Sequence, residues 1–124
     1  MYSHMMVGSN DIERSKTFYD ATFKAMGGNE GMLDPKGRLV YMHNGGVFLV
    51  TPPIDGQPAT HGNGCTIGFA MSPEQADAWH AAGVANGGTA IEDPPGVREN
   101  GDMKLYLAYL RDPDGNKLCA LHRM

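Results

Sequence analysis

The chain has 124 residues, the usual size of one domain, and can bury about two-thirds of its unfolded surface. Ten Lys and Arg against 14 Asp and Glu give a formal charge of −4, and the basic residues are scattered along the sequence, which argues against nucleic acid as a partner. No apolar run approaches the roughly 18 residues that cross a bilayer, and Met1-Tyr2-Ser3-His4 does not open an export signal. A cytoplasmic location with no membrane partner is therefore expected.

Tyr2 to Gly8 is a short apolar run that carries His4 and suits a strand. A helix is expected next, with Asn10 as N-cap and Glu13 at capping-box spacing. Ile12, Phe18, Tyr19, Thr22, Phe23 and Met26 recur at helical intervals, and Gly27-Gly28 stops the helix. Asp34-Pro35-Lys36-Gly37 is a turn before the strand Arg38 to Met42. A tight turn at His43-Asn44-Gly45-Gly46 then leads into the strand Val47 to Thr51. Pro52-Pro53 ends that strand, and residues 54–64, rich in Pro, Gly and polar side chains, are a linker.

After the linker the same order returns. Cys65 to Met71 is a strand; Ser72-Pro73-Glu74-Gln75 opens a helix with Ser72 as N-cap, Pro73 at the first helical position and Gln75 completing the box. Gly87-Gly88 stops this helix 60 positions after Gly27-Gly28. A Pro/Gly-rich loop from Glu92 to Asp102 precedes a hairpin whose arms are Lys104 to Leu110 and Leu118 to Leu121. In its turn, Pro113 presets φ, Asp112 can bond the backbone ahead of it, and Gly115 can take positive φ. The chain thus divides into modules at 1–53 and 65–124 joined by the linker 54–64. Each half would be marginal alone, so the two are expected to form one compact domain.

His4, Asp11-Ile12-Glu13-Arg14-Ser15, Phe18-Tyr19, the two Gly-Gly stops and Asp112-Pro113-Asp114-Gly115-Asn116-Lys117 carry a resemblance that covers nearly the whole chain. It resembles the vicinal oxygen chelate superfamily, which includes glyoxalases (lactoylglutathione lyases), bleomycin-resistance proteins and extradiol dioxygenases. The resemblance implies an α+β fold of two βαβββ modules forming a cupped mixed sheet, often assembled as a dimer. In enzymatic members it also implies a divalent metal on the inner wall of the cup.

Carried over position by position, the family's metal ligands fall on His4, Leu49, Thr66 and Cys119. Only His4 matches well; Leu49 cannot bind a metal, Thr66 stands in place of a histidine, and Cys119 stands in place of a glutamate. A zinc site wants about four such groups, and magnesium or manganese wants oxygen ligands, so no cofactor is expected and a divalent metal is the less favoured case. Superposing the repeats pairs His4 with Thr66 and Leu49 with Cys119, so the four are expected to ring one shared cavity.

Other candidates have two readings each. His4 is either a histidine satisfied at the edge of the core or a functional imidazole. Cys119 is either a small buried hydrophobe or a reactive thiol, and no base near it in sequence is evident. With Cys65 expected on the opposite face from Thr66, a Cys65–Cys119 disulfide is not expected, and the two cysteines fit no zinc spacing. Arg98 follows the rigid Pro94-Pro95-Gly96 and either grips an anion with its fork or pairs with Glu92 or Glu99. Tyr106 and Tyr109 fall on opposite faces of one strand, so one of them lines the cup, and Tyr106 is placed with the ligand-binding set. Trp79 is read as core. His43, His61 and His122 are read as solvated, and the nine methionines suit either an adaptable pocket or an irregular core.

Two function classes follow. In one, the protein is a homodimeric, glyoxalase/bleomycin-resistance-like binder of a small, partly apolar molecule with an incomplete metal site. In the other it is a metal-dependent lyase or dioxygenase acting on a small carbonyl or thioester-like substrate, where the metal polarises an oxygen and a carboxylate moves a proton. A metal-free enzyme using His4 or Cys119 is a third possibility.

Overall fold

The computed structural model describes all 124 residues. Its first module consists of β1 (Met5–Gly8), α1 (Ile12–Ala25), β2 (Met32–Leu33), β3 (Leu39–His43) and β4 (Gly46–Thr51). The second consists of β5 (Ile67–Ala70), α2 (Pro73–Ala85), β6 (Thr89–Ala90), β7 (Gly96–Asn100), β8 (Met103–Arg111) and β9 (Lys117–Arg123). The first sheet has the order β1-β4-β3-β2; the second has β5-β9-β8, with β6 and β7 both paired to the far edge of β8. In each, the strand before the helix lies parallel to the last strand of its module and the other pairs are antiparallel. This is the α+β duplication of βαβββ units expected from the sequence.

The helix starts differ from one another. Ser72 caps α2 with the full capping box anticipated, its hydroxyl accepting from the Gln75 amide while the Gln75 side chain accepts from the Ser72 amide. The cap of α1 is Asp11, which accepts from the Arg14 amide at 3.0 Å, and not Asn10. Asn10 is engaged elsewhere: its amide group exchanges two hydrogen bonds with the backbone of Ala59, pinning the linker to the start of α1. The helix stops are alike. Gly27 and Gly87 both have positive φ, and the amides of Gly28 and Gly88 reach back 2.8 Å to the carbonyls of Phe23 and Gly83.

Residues 96–100, expected within a loop, form β7. The nine-residue β8 leaves a row of backbone donors and acceptors along its outer edge that must be satisfied. Strand β7 covers that edge at Met103–Leu107 and β6 covers it at Leu110–Arg111, and Pro94-Pro95, which lacks two amide donors, falls in the gap between them.

One apolar core joins the modules. Phe18, Tyr19 and Phe23 from α1 pack with Trp79 from α2, with Leu39, Tyr41, Phe48 and Val50 of the first sheet, and with Ala108, Leu110, Leu118 and Ala120 of the second. Phe23 stacks on Tyr41 at 4.5 Å, and Phe69 of β5 meets Phe48 and Phe23 edge-on at 5.4 and 5.7 Å. Gly83 lets α2 lie close to both neighbours because it has no side chain; a Cβ there would lie 2.4 Å from Leu110 Cδ1 of β8 and 3.2 Å from Phe18 Cε1 of α1.

The Asp112–Asn116 turn fastens the two halves together. Asp112, 3% exposed, accepts from the Tyr19 hydroxyl, from Asn116 Nδ2 at 2.8 Å and from the amides of Asp114 and Asn116. Asn116 Nδ2 also donates to the Gly8 carbonyl, and Asp114 accepts from Arg14 Nη2 at 2.8 Å and from the Asn10 amide. The start of α1 and the end of β1 are thereby tied to a turn more than 90 residues away in sequence.

Candidate functional site

Strand register decides what each sheet shows on the side away from the helices. Residues paired across strands share a face, and neighbours along a strand alternate. In the first sheet, Val7, Leu39, Tyr41, Phe48 and Val50 point into the core. Met6, Met32, Val40, Met42, Val47, Leu49 and Thr51 therefore point outward. That outer face carries no charged side chain, and Met6, Leu49, Val40 and Met32 form one row across all four strands.

In the second sheet Ala108, Leu110, Leu118 and Ala120 are core, so Leu105, Leu107, Tyr109, Cys119 and Leu121 make the outer face. Gly68 and Ala70 extend it from β5, and Gly96 and Arg98 extend it from β7. Cys119 lies opposite both Tyr109 and Gly68. It is 5% exposed, and burial raises its thiol above the ordinary range, with Glu92 adding to the rise against the opposing pull of Tyr109, Lys117 and Arg98. The thiolate needed by a nucleophile is thus disfavoured at neutral pH. Burial likewise raises the Tyr109 phenol, assisted by Cys119 and Glu92. Lys117 Nζ stands 5.0 Å from the Tyr109 ring centre and is ion-paired to Glu92.

Tyr106, placed with the ligand-binding set from the sequence, turns to the helix side and donates a 2.6 Å hydrogen bond to Asp77 of α2. Tyr109 takes the outer face. The alternation in Lys104–Arg111 made this an either-or choice, and only the register of β8 on β9 resolves it. His122, expected to be solvated, is half-buried opposite Tyr106. Arg98 pairs with neither Glu92 nor Glu99, which are taken by Lys117 and Lys104. Its Nη2 instead donates to the carbonyls of Asp93 and Pro94, each at 2.9 Å, and its Nη1 lies over Gly96.

The four family ligand positions are distributed as follows. His4 is exposed one residue before β1 and shares a 2.8 Å hydrogen bond with Ser3; Leu49 is half-buried on the outer face of the first sheet. Thr66 is exposed one residue before β5, and Cys119 is buried on the outer face of the second sheet. A cavity of about 550 Å³ between β1 and β5 takes in Thr66, Cys65, His61 and Lys117, but not His4, Leu49 or Cys119. A second cavity, of about 280 Å³, opens among Met5, Phe23, Phe48 and Phe69, with His43 and Asn44 on its lining. No three His, Cys, Asp or Glu side chains converge on a point where an ion could be held. The four carried-over positions do not supply a donor set that fits the family's divalent metal: they offer one imidazole, one hydroxyl, one thiol whose ionisation burial disfavours, and an alkyl group. Cys65 and Cys119 are both free thiols, and no helix is long and apolar enough to cross a membrane.

Comparison with known proteins agrees with this architecture. The glyoxalase/bleomycin resistance protein/dioxygenase superfamily model matches residues 2–120. A glyoxalase/bleomycin resistance protein from Albidiferax ferrireducens T118 is 61% identical over 99% of each chain, with a TM-score of 0.95. At 18% identity, a family enzyme from Burkholderia phytofirmans PsJN shares the fold over 98% of each chain with a TM-score of 0.73. The fosfomycin resistance protein FosX from Mesorhizobium loti does so at 13% identity, over 98% of this chain and 90% of its own, with a TM-score of 0.67. Among curated proteins none matches. The duplicated βαβββ layout, the inter-module turn and a family match across nearly the whole chain have one reading: this chain belongs to the glyoxalase/bleomycin resistance protein/dioxygenase superfamily.

Proposed function

We propose that the protein binds a small, partly apolar molecule on the outer faces of its sheets and does so without a resident metal. The observation that carries this reading is the donor set, in which Leu49 and Thr66 replace two family ligands and Cys119 is a protonated thiol at neutral pH. The lining favours the same conclusion, since Leu49, Val40, Leu107 and Leu121 offer apolar contact and Met6, Met32 and Met42 offer adaptable contact.

A homodimer is part of the proposal. Met32 and Met42 are each 63% exposed on the uncharged outer face of the first sheet, and β2 and β7 leave edges for a second copy to cover. Sedimentation velocity should give twice the chain mass.

The metal question is tested by elemental analysis of protein dialysed against chelator, followed by a thermal-shift screen of small molecules with and without divalent ions. The expected outcome is far less than one metal per chain and ligand shifts that chelator leaves unchanged. One tightly held ion per chain, or stabilisation that needs the ion, would overturn the reading in favour of a metal-dependent lyase or dioxygenase.

A further inference from the structure

The outer face of the second sheet carries four charged side chains on its strands, Arg98, Arg111, Lys117 and Arg123, and all four are basic. This concentration stands out in a chain of net charge −4. The residues are also ordered. Arg98, Leu105 and Arg123 form one row across β7, β8 and β9, and Gly96, Leu107 and Leu121 form the next. Tyr109 and Cys119 form the third row, and Arg111 with Lys117 closes the far end. The face is a mainly apolar floor bounded by cations at both ends.

The two ends differ in how far their charge is already used. Lys117 is paired with Glu92, and Arg111 Nη1 donates to the Gly115 carbonyl at 2.6 Å. The chain's five ion pairs involve neither Arg98 nor Arg123. Both flank Leu105 directly, so their Cα atoms are roughly 10 Å apart, two strand spacings, within reach of a single oxyanion between two arginine side chains. Arg98 is held over the floor. Two backbone carbonyls fix its Nη2, and its Nη1 lies over Gly96, the β7 residue paired with Leu107.

We infer that this face selects anionic ligands, an oxyanion group held between Arg98 and Arg123 with an apolar body lying over Leu107, Leu121 and Tyr109. The inference rests on the small-molecule reading above and narrows it to a carboxylate, phosphate or phosphonate on an apolar chain or ring. A guanidinium fork matches such a head group with paired, charge-assisted hydrogen bonds, and the same two arginines repel a cationic ligand of equal shape.

A matched probe series tests it: hexanoate, hexylphosphonate, hexanol and hexylammonium, titrated into the protein at low salt and followed by amide chemical shifts and calorimetry. Hexanoate and hexylphosphonate should bind at least about tenfold more tightly than the other two, more weakly as salt rises, with shifts centred on Leu105, Leu107 and Leu121. The doubly neutralised R98Q/R123Q variant should lose that preference, binding hexanoate and hexylphosphonate no more tightly than hexanol. Equal binding of anion and cation, or an R98Q/R123Q variant that keeps the preference, would overturn the anion assignment and leave the apolar-ligand reading standing. No binding of any probe to either outer face would overturn the broader reading instead. If the variant changes the sedimenting mass and not probe affinity, the face is a protein contact and the inference fails.

Discussion

Two turns in this molecule have almost the same chemistry and very different surroundings. Asp34-Pro35-Lys36-Gly37-Arg38 and Asp112-Pro113-Asp114-Gly115-Asn116 fold alike bond for bond. In each, the glycine amide donates to the aspartate carbonyl and the aspartate amide donates to the carbonyl of the fifth residue. In each, one carboxylate oxygen accepts the amides of the third and fifth residues at 2.9 Å. Gly37 and Gly115 both take positive φ. The second carboxylate oxygen is where they part. That of Asp34 meets the Arg38 side chain at the surface, whereas that of Asp112 meets Tyr19 and Asn116 in the interior. A local sequence builds the turn, and what is packed against it makes the turn a link between the modules.

The largest effect expected from this contrast comes from removing each carboxylate. Asp112→Ala leaves the Tyr19 hydroxyl and the Asn116 side chain short of a buried charged acceptor and should cost about 3 kcal/mol in urea denaturation. Asp34→Ala breaks the same local bonds where water can replace them and should move the melting temperature by no more than about 2 °C. Comparable losses would mean that the turn alone, not its burial, carries the energy. Tyr19→Phe is a smaller cut through the same link: it removes one donor, keeps the ring packing, and should cost about 1–2 kcal/mol.

The subtlest expectation concerns pH, where the twin carboxylates should act with opposite signs. The backbone amide and guanidinium of Arg38 hold Asp34 below the ordinary carboxylate range, so its contribution is present above that range and is lost as pH falls through its folded value. Burial pushes Asp112 above the ordinary range against the hydrogen bonds of Tyr19 and Asn116. The folded chain then holds that proton more tightly than the unfolded one, and this group's contribution rises as pH falls through its folded value. Melting curves of Asp34→Asn and Asp112→Asn against the parent, between about pH 3 and pH 7, should give difference profiles of opposite slope. Slopes of the same sign would break the comparison.

Much of the fold was legible in the chain because it rests on local chemistry. The Ser72 cap, the Gly27-Gly28 and Gly87-Gly88 stops and both Asp-Pro turns follow from the backbone preferences of a few neighbouring residues. The misplaced features share a different cause. Asn10 was available as a cap, but bonding to Ala59, far along the chain, left the position to Asp11. Strand β7 looked like a loop because its own residues include little β-forming bulk; the bare edge of β8 made it a strand.

The candidate site was less legible still. His4, Leu49, Thr66, Arg98 and Cys119 were named from the sequence, but the basic row of Arg98 and Arg123 was not, since the two lie 25 positions apart and meet only through Leu105. By itself the sequence determined both helices and their Gly-Gly stops, the Ser72 cap, the two Asp-Pro turns and the doubled layout, because such stops and turns are decided within a few residues. Only the tertiary structure decided which side of each strand faces out, that Tyr109 and not Tyr106 lies beside Cys119, and that one of two like turns is buried. Sliding one strand past its neighbour by a single residue exchanges its two faces, and that register is set by contacts between residues far apart in the chain.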